Sequence, residues 1–301
     1  MLHSTNQTDQ TALALTEPTG KVACREATND VQLIRLWLHG RSEDTQRAYK
    51  FDSSRFFQFA GKGIRQVTLH DLQRFADALG ELELRPASRH RILSAVKSLF
   101  AYAHRLGYLQ LNVARPLRLP QVRDTLNERI LDEGQVHRLL ALEPNPRNRT
   151  MLLLMYAAGI RVSELCGLKW KDLVGRDGSG QITVFGKRGK TRTILLPSSV
   201  WSSLSALRNK AADTSPVFKS RKSGHLHRSQ VLRIVQRAAM RAEIDRPISP
   251  HWLRHAHASH ALDRGAAIHL VQNTLGHASV ATTGRYLHAR PTESSSSYLG
   301  L

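Results

Sequence analysis

The sequence predicts a mainly α-helical protein with one small β-hairpin, divided into two folded parts. Three observations lead there. Apolar residues recur at helical spacing from Val31 to Leu106, and helical segments return from Asp132 to Tyr286. A single β-like pair flanks Gly186-Lys-Arg-Gly189. Two prolines in Arg115-Pro-Leu-Arg-Leu-Pro120 interrupt the helical pattern between the parts. A length of 301 residues also fits two domains at about 150 residues each.

The elements follow in order. Residues 1–30 are polar, Thr-rich and aperiodic and read as a disordered arm. Val31–Leu38 is helical, and Ser42 is placed to cap a helix carrying Tyr49, Phe56 and Phe59. Thr68-x-x-Asp71 has the form of a capping box, and Leu72, Phe75, Ala76 and Leu79 follow it on one face up to Gly80. Ile92, Val96, Leu99, Ala103 and Leu106 form another stripe that stops at Gly107. The Phe and Leu residues of these four helices, Phe59 included, are read as core. This gives a helical domain over 31–115 and a linker over 116–129, rich in Pro and Arg. The second domain, 130–290, opens with the capping pair Asp132 and Gln135. Met151–Ala158 is a buried helix closed by Gly159. Ile182–Phe185 and Thr191–Leu196 are the hairpin strands. Ser229–Ala242 is amphipathic. Ser249-Pro250-His251 begins a helix running to Gly265, with serine at the cap and proline at the first helical position. Ala267–Leu275 ends at Gly276, and Ser279 caps a last helix carrying Tyr286. Residues 291–301 form a tail.

Charge narrows the function. Lys and Arg number 44 against 24 Asp and Glu, a formal net charge of +20. The arm is net −2, residues 31–120 are net +8 and residues 121–301 are net +14, so the excess lies on the folded parts. A polyanion, most often nucleic acid, is the partner this implies. Two cysteines, Cys24 and Cys166, are too few for a disulfide framework or a cysteine-rich zinc module. The longest apolar run, Met151–Ile160, is too short for a bilayer, and the N-terminus lacks the basic and apolar regions of a signal peptide. A cytoplasmic protein associated with the bacterial nucleoid is the expectation. A Walker-type glycine loop and an acidic cluster for two-metal chemistry are both missing, so no cofactor is expected.

The last helices concentrate reactive side chains. His251 and Arg254 share a helix face, and His251 falls in the first turn, where free N–H groups favour an anion. His251, His255, His257 and His260 also admit a metal reading, but His251-x-x-x-His255 lacks the glutamate of a zinc-protease motif.

Four ordered segments carry a resemblance. Gly159-Ile-Arg161-Val-Ser-Glu164-Leu-Cys-Gly-Leu-Lys-Trp-Lys-Asp172 resembles the first arginine box of the tyrosine recombinase (phage integrase) family. Gly186-Lys187-Arg-Gly-Lys-Thr-Arg, with Pro197 after it, resembles the hairpin of the family lysine. Ser249-Pro-His251-Trp-Leu-Arg254-His255-Ala resembles its His-x-x-Arg box, and Leu275-Gly-His277 with Tyr286 nine residues on resembles its closing box. The resemblance spans about residues 31–290. It implies a helical core-DNA-binding domain followed by a catalytic domain, in the two-domain plan of the Xer-like and Cre-like forms.

The resemblance also implies roles. Tyr286 would be the nucleophile, a phenol that needs its proton removed and its target phosphate neutralised. Arg161 and Arg254 would offer planar donor forks to the phosphate oxygens. Lys187 would protonate the leaving 5′ oxygen, with Lys190 as its rival. His251 would assist proton transfer from Tyr286, His277 would bond the phosphate, and Glu164 would orient Arg161 or its neighbours. Implied partners are duplex DNA bearing an inverted-repeat site, clamped between the two domains, and a homotetramer resolving a Holliday junction. No membrane is implied. Pro291 and Ser294–Ser297 disfavour a long terminal helix, so Tyr298, Leu299 and Leu301 are expected to form a short apolar anchor instead. Alternative functions are a type IB topoisomerase-like enzyme, a telomere resolvase, an inactive DNA-binding accessory protein of the same fold, and a nuclease using the histidines as metal ligands.

Overall fold

The computed structural model describes residues 27–186, 189–220 and 224–289. The chain divides into two compact units, one ending at Arg123 and the other beginning at Asp124. The tail 291–301, Lys187 and most of the arm lie outside the described residues.

Among the described residues, the first unit holds four α-helices, α1 (Asp30–Leu38), α2 (Glu43–Ala60), α3 (Leu69–Glu81) and α4 (Pro86–Arg105). Local chemistry sets their ends. Asn29 accepts from the Gln32 N–H at the start of α1, and Thr68 and Asp71 form the reciprocal box that opens α3. Gly80 does not end α3. The helix runs through it to Glu81, and the chain turns at Glu83 with a positive φ of 50°. Leu33, Trp37, Leu72, Phe75, Val96 and Leu99 fill the core, and the edges of Phe75 and Phe100 pack on Phe56 at 5.2 and 5.9 Å. Phe59 corrects the expectation that it is core. It is 41% exposed at the rim, its ring 5.4 Å from Phe75 and covered by the Arg74 guanidinium. Three residues on from Phe56, it reaches the edge of the stripe rather than its centre. The Pro/Arg segment packs back on α4. Leu117 is buried, Lys97 donates to the Arg115 and Leu117 carbonyls, and His90 Nδ1 lies 3.0 Å from the Pro120 carbonyl.

The second unit carries α5 (Glu133–Ala141), α6 (Pro146–Ala158), α7 (Val162–Gly167), β1 (Leu173–Arg176), β2 (Ser179–Phe185), β3 (Thr191–Leu196), α8 (Ser198–Arg208), α9 (Arg228–Arg241), α10 (Pro250–Asp263), α11 (Ile268–Leu275) and α12 (Val280–Ala289). The hairpin supplies the central strand and one edge strand of a three-stranded antiparallel sheet in the order β1-β2-β3. Ile182 pairs with Ile194 and Val184 with Arg192, so Ile194, Leu196 and Arg192 point to the same face, the one that meets the core. Trp201 of α8 lies on this sheet so closely that a Cβ on Gly180 would fall 2.1 Å from its ring, which only glycine permits. Neither β1 nor α8 was expected. Ser249 precedes α10 as expected, but its hydroxyl makes no capping bond. Met151, Leu152, Leu154 and Met155 of α6 pack in the main core with Leu253 and Ala256 of α10. A smaller cluster joins Ala258, Val271, Leu275 and Tyr286, and so ties α10, α11 and α12 together. Among the described residues, no helix is long and apolar enough to cross a membrane.

Candidate active site

The site forms where α6, α7, α10 and α11 end or begin beside β3. Gly159 closes α6 in the left-handed conformation, φ 56°. A Cβ there would lie 2.6 Å from Leu275 Cδ2 and 2.8 Å from His257 Cδ2. The turn therefore brings backbone against α10 and α11, and two residues later Arg161 starts α7. Glu164, on the first turn of α7, accepts from the Arg161 backbone N–H at 2.8 Å and from its Nη1 at 2.9 Å.

Arg254 projects from α10 and is only 4% exposed. It donates to the Gly159 carbonyl and, at 2.7 Å, to the Leu275 carbonyl. The end of α11 collects three guanidiniums on successive carbonyls: Arg192 Nε on Thr274 (2.7 Å), Arg254 Nη2 on Leu275 (2.7 Å) and Arg161 Nη2 on Gly276 (3.1 Å). Carbonyls left without helical partners at a C-terminus attract cations. Arg192 also binds both oxygens of Glu164.

Electrostatics follow from this packing. Burial alone would raise the Glu164 carboxyl, but its bonds and charge interactions with Arg192 and Arg161 hold it down at about 2. Burial and the neighbouring Arg161 lower Arg254 to about 10, so it stays charged at neutral pH. Three guanidiniums against one carboxylate leave the cluster at +2, a site suited to an anion. The Arg161 side chain is the most open of the three, at 30% exposed against 13% for Arg192.

Tyr286 of α12 stands beside this cluster, 4% exposed. Its hydroxyl lies 2.7 Å from His255 Nδ1. The His277 ring runs parallel to the phenol at 6.5 Å, and His277 Nδ1 bonds Thr283 Oγ1 at 2.9 Å. His251 sits one turn before His255, ring centroids 6.3 Å apart. Burial, followed by the nearby arginines, lowers His251 and brings His277 to about 4. Burial, then His251 and Arg254, brings His255 to about 4. These imidazoles are therefore neutral at pH 7. Burial raises the Tyr286 phenol, while Arg254 and Arg285 work against the rise.

The structure thus gathers Arg161, Glu164, His251, Arg254, His277 and Tyr286 of the sequence-derived set into one place. Lys187 falls outside the described residues. Its rival Lys190 is exposed, and its carbonyl accepts from the Gly186 N–H at 2.7 Å. Two residues were missed. Arg192 carried a signal, because in the β3 alternation it occupies an inward position that an unpaired charge could not tolerate. His255 shares the helix face of His251 at i+4 and was weighed only as a metal ligand. Among the described residues, no three His, Cys, Asp or Glu side chains group to hold a metal ion. His257 and His260 bond the Tyr156 carbonyl and hydroxyl instead.

Known proteins resemble this chain over most of its length. Residues 129–293 match the model of the phage integrase family, and residues 33–107 match that of the phage integrase N-terminal SAM-like domain. A tyrosine recombinase of Thermosipho africanus is 32% identical over 260 residues, 84% of this chain and 91% of the relative. The tyrosine recombinase XerD of Shewanella oneidensis is 32% identical over 276 residues, 86% of this chain and 91% of the relative. A lambda integrase tetramer bound to a Holliday junction shares the fold at a TM-score of 0.67 and 18% identity, over 84% of this chain and 79% of that one.

Proposed function

This chain belongs to the phage integrase family of tyrosine recombinases, and from that premise we propose that Tyr286 is the nucleophile with which it cuts and rejoins DNA. The observation that carries the assignment is a phenol beside a +2 arginine cluster, with an imidazole already on its hydroxyl.

The Tyr286 oxygen attacks the scissile phosphorus, and the bond to the 5′ oxygen breaks. The product is a 3′-phosphotyrosyl link that keeps the energy of the phosphodiester, so the reverse reaction reseals the strand without ATP. Arg161 and Arg254 oppose the negative charge that grows on the non-bridging oxygens. Arg161 is the open member of the pair. Arg254 is anchored on two carbonyls by one hydrogen each of Nη1 and Nη2, and its remaining donors are those that phosphate would use. Glu164 holds Arg161 in place. His277, its Nδ1 on Thr283, bonds the phosphate through its other ring nitrogen, and Lys187 protonates the 5′ oxygen. Tyr286 is only 4% exposed, so DNA binding must open its surroundings while the His255 bond is kept.

The partner is duplex DNA with an inverted-repeat site, and the working form is a tetramer that exchanges strands through a Holliday junction in the nucleoid of a bacterial cytoplasm. The lambda integrase tetramer on such a junction supports this reading through its shared fold. A nicked suicide substrate tests it. The native protein is expected to form a covalent DNA adduct in EDTA, and Tyr286→Phe none. An adduct that survives Tyr286→Phe would falsify the assignment.

A further inference from the structure

The proposed reaction needs an acceptor for the phenolic proton, and the sequence offered His251. We propose that His255 is that acceptor, a further catalytic residue one turn along α10. The inference rests on Tyr286 being the nucleophile.

The geometry is direct. His255 Nδ1 lies 2.7 Å from the Tyr286 oxygen, and this is the bond the phenol makes among the described residues. The His251 ring lies 6.3 Å from that of His255, and among the described residues the hydrogen bond to the phenol comes from His255. Arg254 and His255 are neighbours on a helix, so their side chains diverge by about 100°. One reaches the α6 and α11 carbonyls and the other the nucleophile. A single helix thereby sets the distance between the charge that receives phosphate and the base that frees the phenol.

The surroundings keep this imidazole neutral. The groups that face it are His251 and Arg254 on α10, Arg129 in the turn before α5, and Arg285 on α12, itself paired with Asp124. The His277 ring runs parallel to the same phenol, 6.5 Å away. Burial among these cations leaves Nδ1 with a lone pair for the phenol hydrogen, and the ring hydrogen then belongs to Nε2. As the phosphate arrives, its charge opposes that of the cations and raises the basicity of the ring. The phenol sheds its proton to Nδ1 while its oxygen bonds phosphorus. The P–O5′ bond breaks with its electron pair on O5′, which is protonated by the separate general acid. Resealing reverses each transfer, and protonated His255 returns its proton to the departing tyrosine.

The test uses the full chain and a substrate whose scissile 5′ oxygen is replaced by sulfur. A thiolate leaves without a proton, so the general acid is bypassed and removal of the phenolic proton comes to limit the rate. His255→Gln keeps a hydrogen-bond partner but no base, and is expected to slow adduct formation by about 100-fold or more at pH 7. The loss should shrink as hydroxide rises from pH 6 to 9, and DNA binding should be unchanged. If His255→Gln does not fold, His255→Ala with added imidazole takes its place, and recovery of adduct with imidazole is the expected result. A His255→Gln rate within about threefold of the native rate, with the native pH profile, overturns the proposal. So does the same hydroxide-dependent loss appearing in His251→Gln instead. Failure of the nucleophile assignment itself is seen separately, as adduct formed by Tyr286→Phe.

Discussion

Arg192 meets Glu164 fork to fork, Nη1 to Oε1 at 2.9 Å and Nη2 to Oε2 at 2.8 Å, with Arg161 sharing Oε1. The pair lies across 28 residues and joins β3 to α7. Arg192 takes one lone pair on each oxygen, while Arg161 reaches Glu164 through Nη1 and the Gly276 carbonyl through Nη2, which leaves Nε and the second hydrogen of each terminal nitrogen for an anion.

Glu164→Gln is expected to destabilise the second unit in a pH-dependent way. The native carboxyl, at about 2 against 4.5 when exposed, is ionised in the folded state well below the pH at which it protonates in the unfolded chain. Its stabilisation, about 3 kcal/mol, is fully present above about pH 5 and is lost as pH falls toward 2. The variant should lack that acid limb. Denaturation midpoints from pH 7 down to pH 3 check this.

Arg254→Lys should lose both cleavage and stability. An ammonium cannot span the Gly159 and Leu275 carbonyls, and a buried carbonyl left without a partner costs about 1–3 kcal/mol. The expected readout is a lowered thermal midpoint together with loss of covalent adduct on the suicide substrate.

Gly159→Ala combines a left-handed backbone with a Cβ 2.6 Å from Leu275. Together these should cost about 2–4 kcal/mol. Hydrogen exchange ought to report the loss in α10 and α11, with the first unit unaffected.

Asp52 tests the first unit. It is fully buried, its Oδ2 bonds Arg91, and its Oδ1 has no partner. Burial raises its carboxyl in spite of Arg91 and Arg55, so its ionisation opposes folding as pH rises through the raised value. The Arg91 side chain is 49% exposed and can be solvated without it. Asp52→Asn is therefore expected to leave stability at pH 7 unchanged or higher by up to about 1 kcal/mol. Exchange protection of α2 and α4 measured at pH 4 and pH 7 should differ less in the variant than in the native protein.

What could be read from the sequence was what is local. The Thr68–Asp71 and Asp132–Gln135 boxes and the closing glycines Gly159 and Gly276 each need only neighbours in the chain, and each stands where it was placed. The ordered boxes led to Arg161, His251, Arg254, His277 and Tyr286. β1 is four residues, Leu-Val-Gly-Arg, with no alternation to mark it, and α8 follows a proline with a serine-rich face. β1 has no periodic signature, whereas α8 carries a short one, Val200, Leu204 and Leu207 at i, i+4 and i+7, hidden among its serines. The pairings Arg192–Glu164 and His255–Tyr286 bridge 28 and 31 residues, and only tertiary packing creates them. The Phe59 rim position is of the same kind, decided by where the helix stripe meets its neighbours.

The three arginines on successive carbonyls of α11 act as rivets as well as instruments. A lineage that abandoned DNA cleavage would be free to lose the Tyr286 hydroxyl at once, by change to Phe, since that oxygen serves one bond to His255 while the ring stays in its core cluster. Discarding Arg254 or Arg192 would loosen the joints of α6, α7, α11 and β3. Erosion of this activity should therefore run in a set order, with the nucleophile vanishing first and the arginines persisting as fossils of a lost reaction.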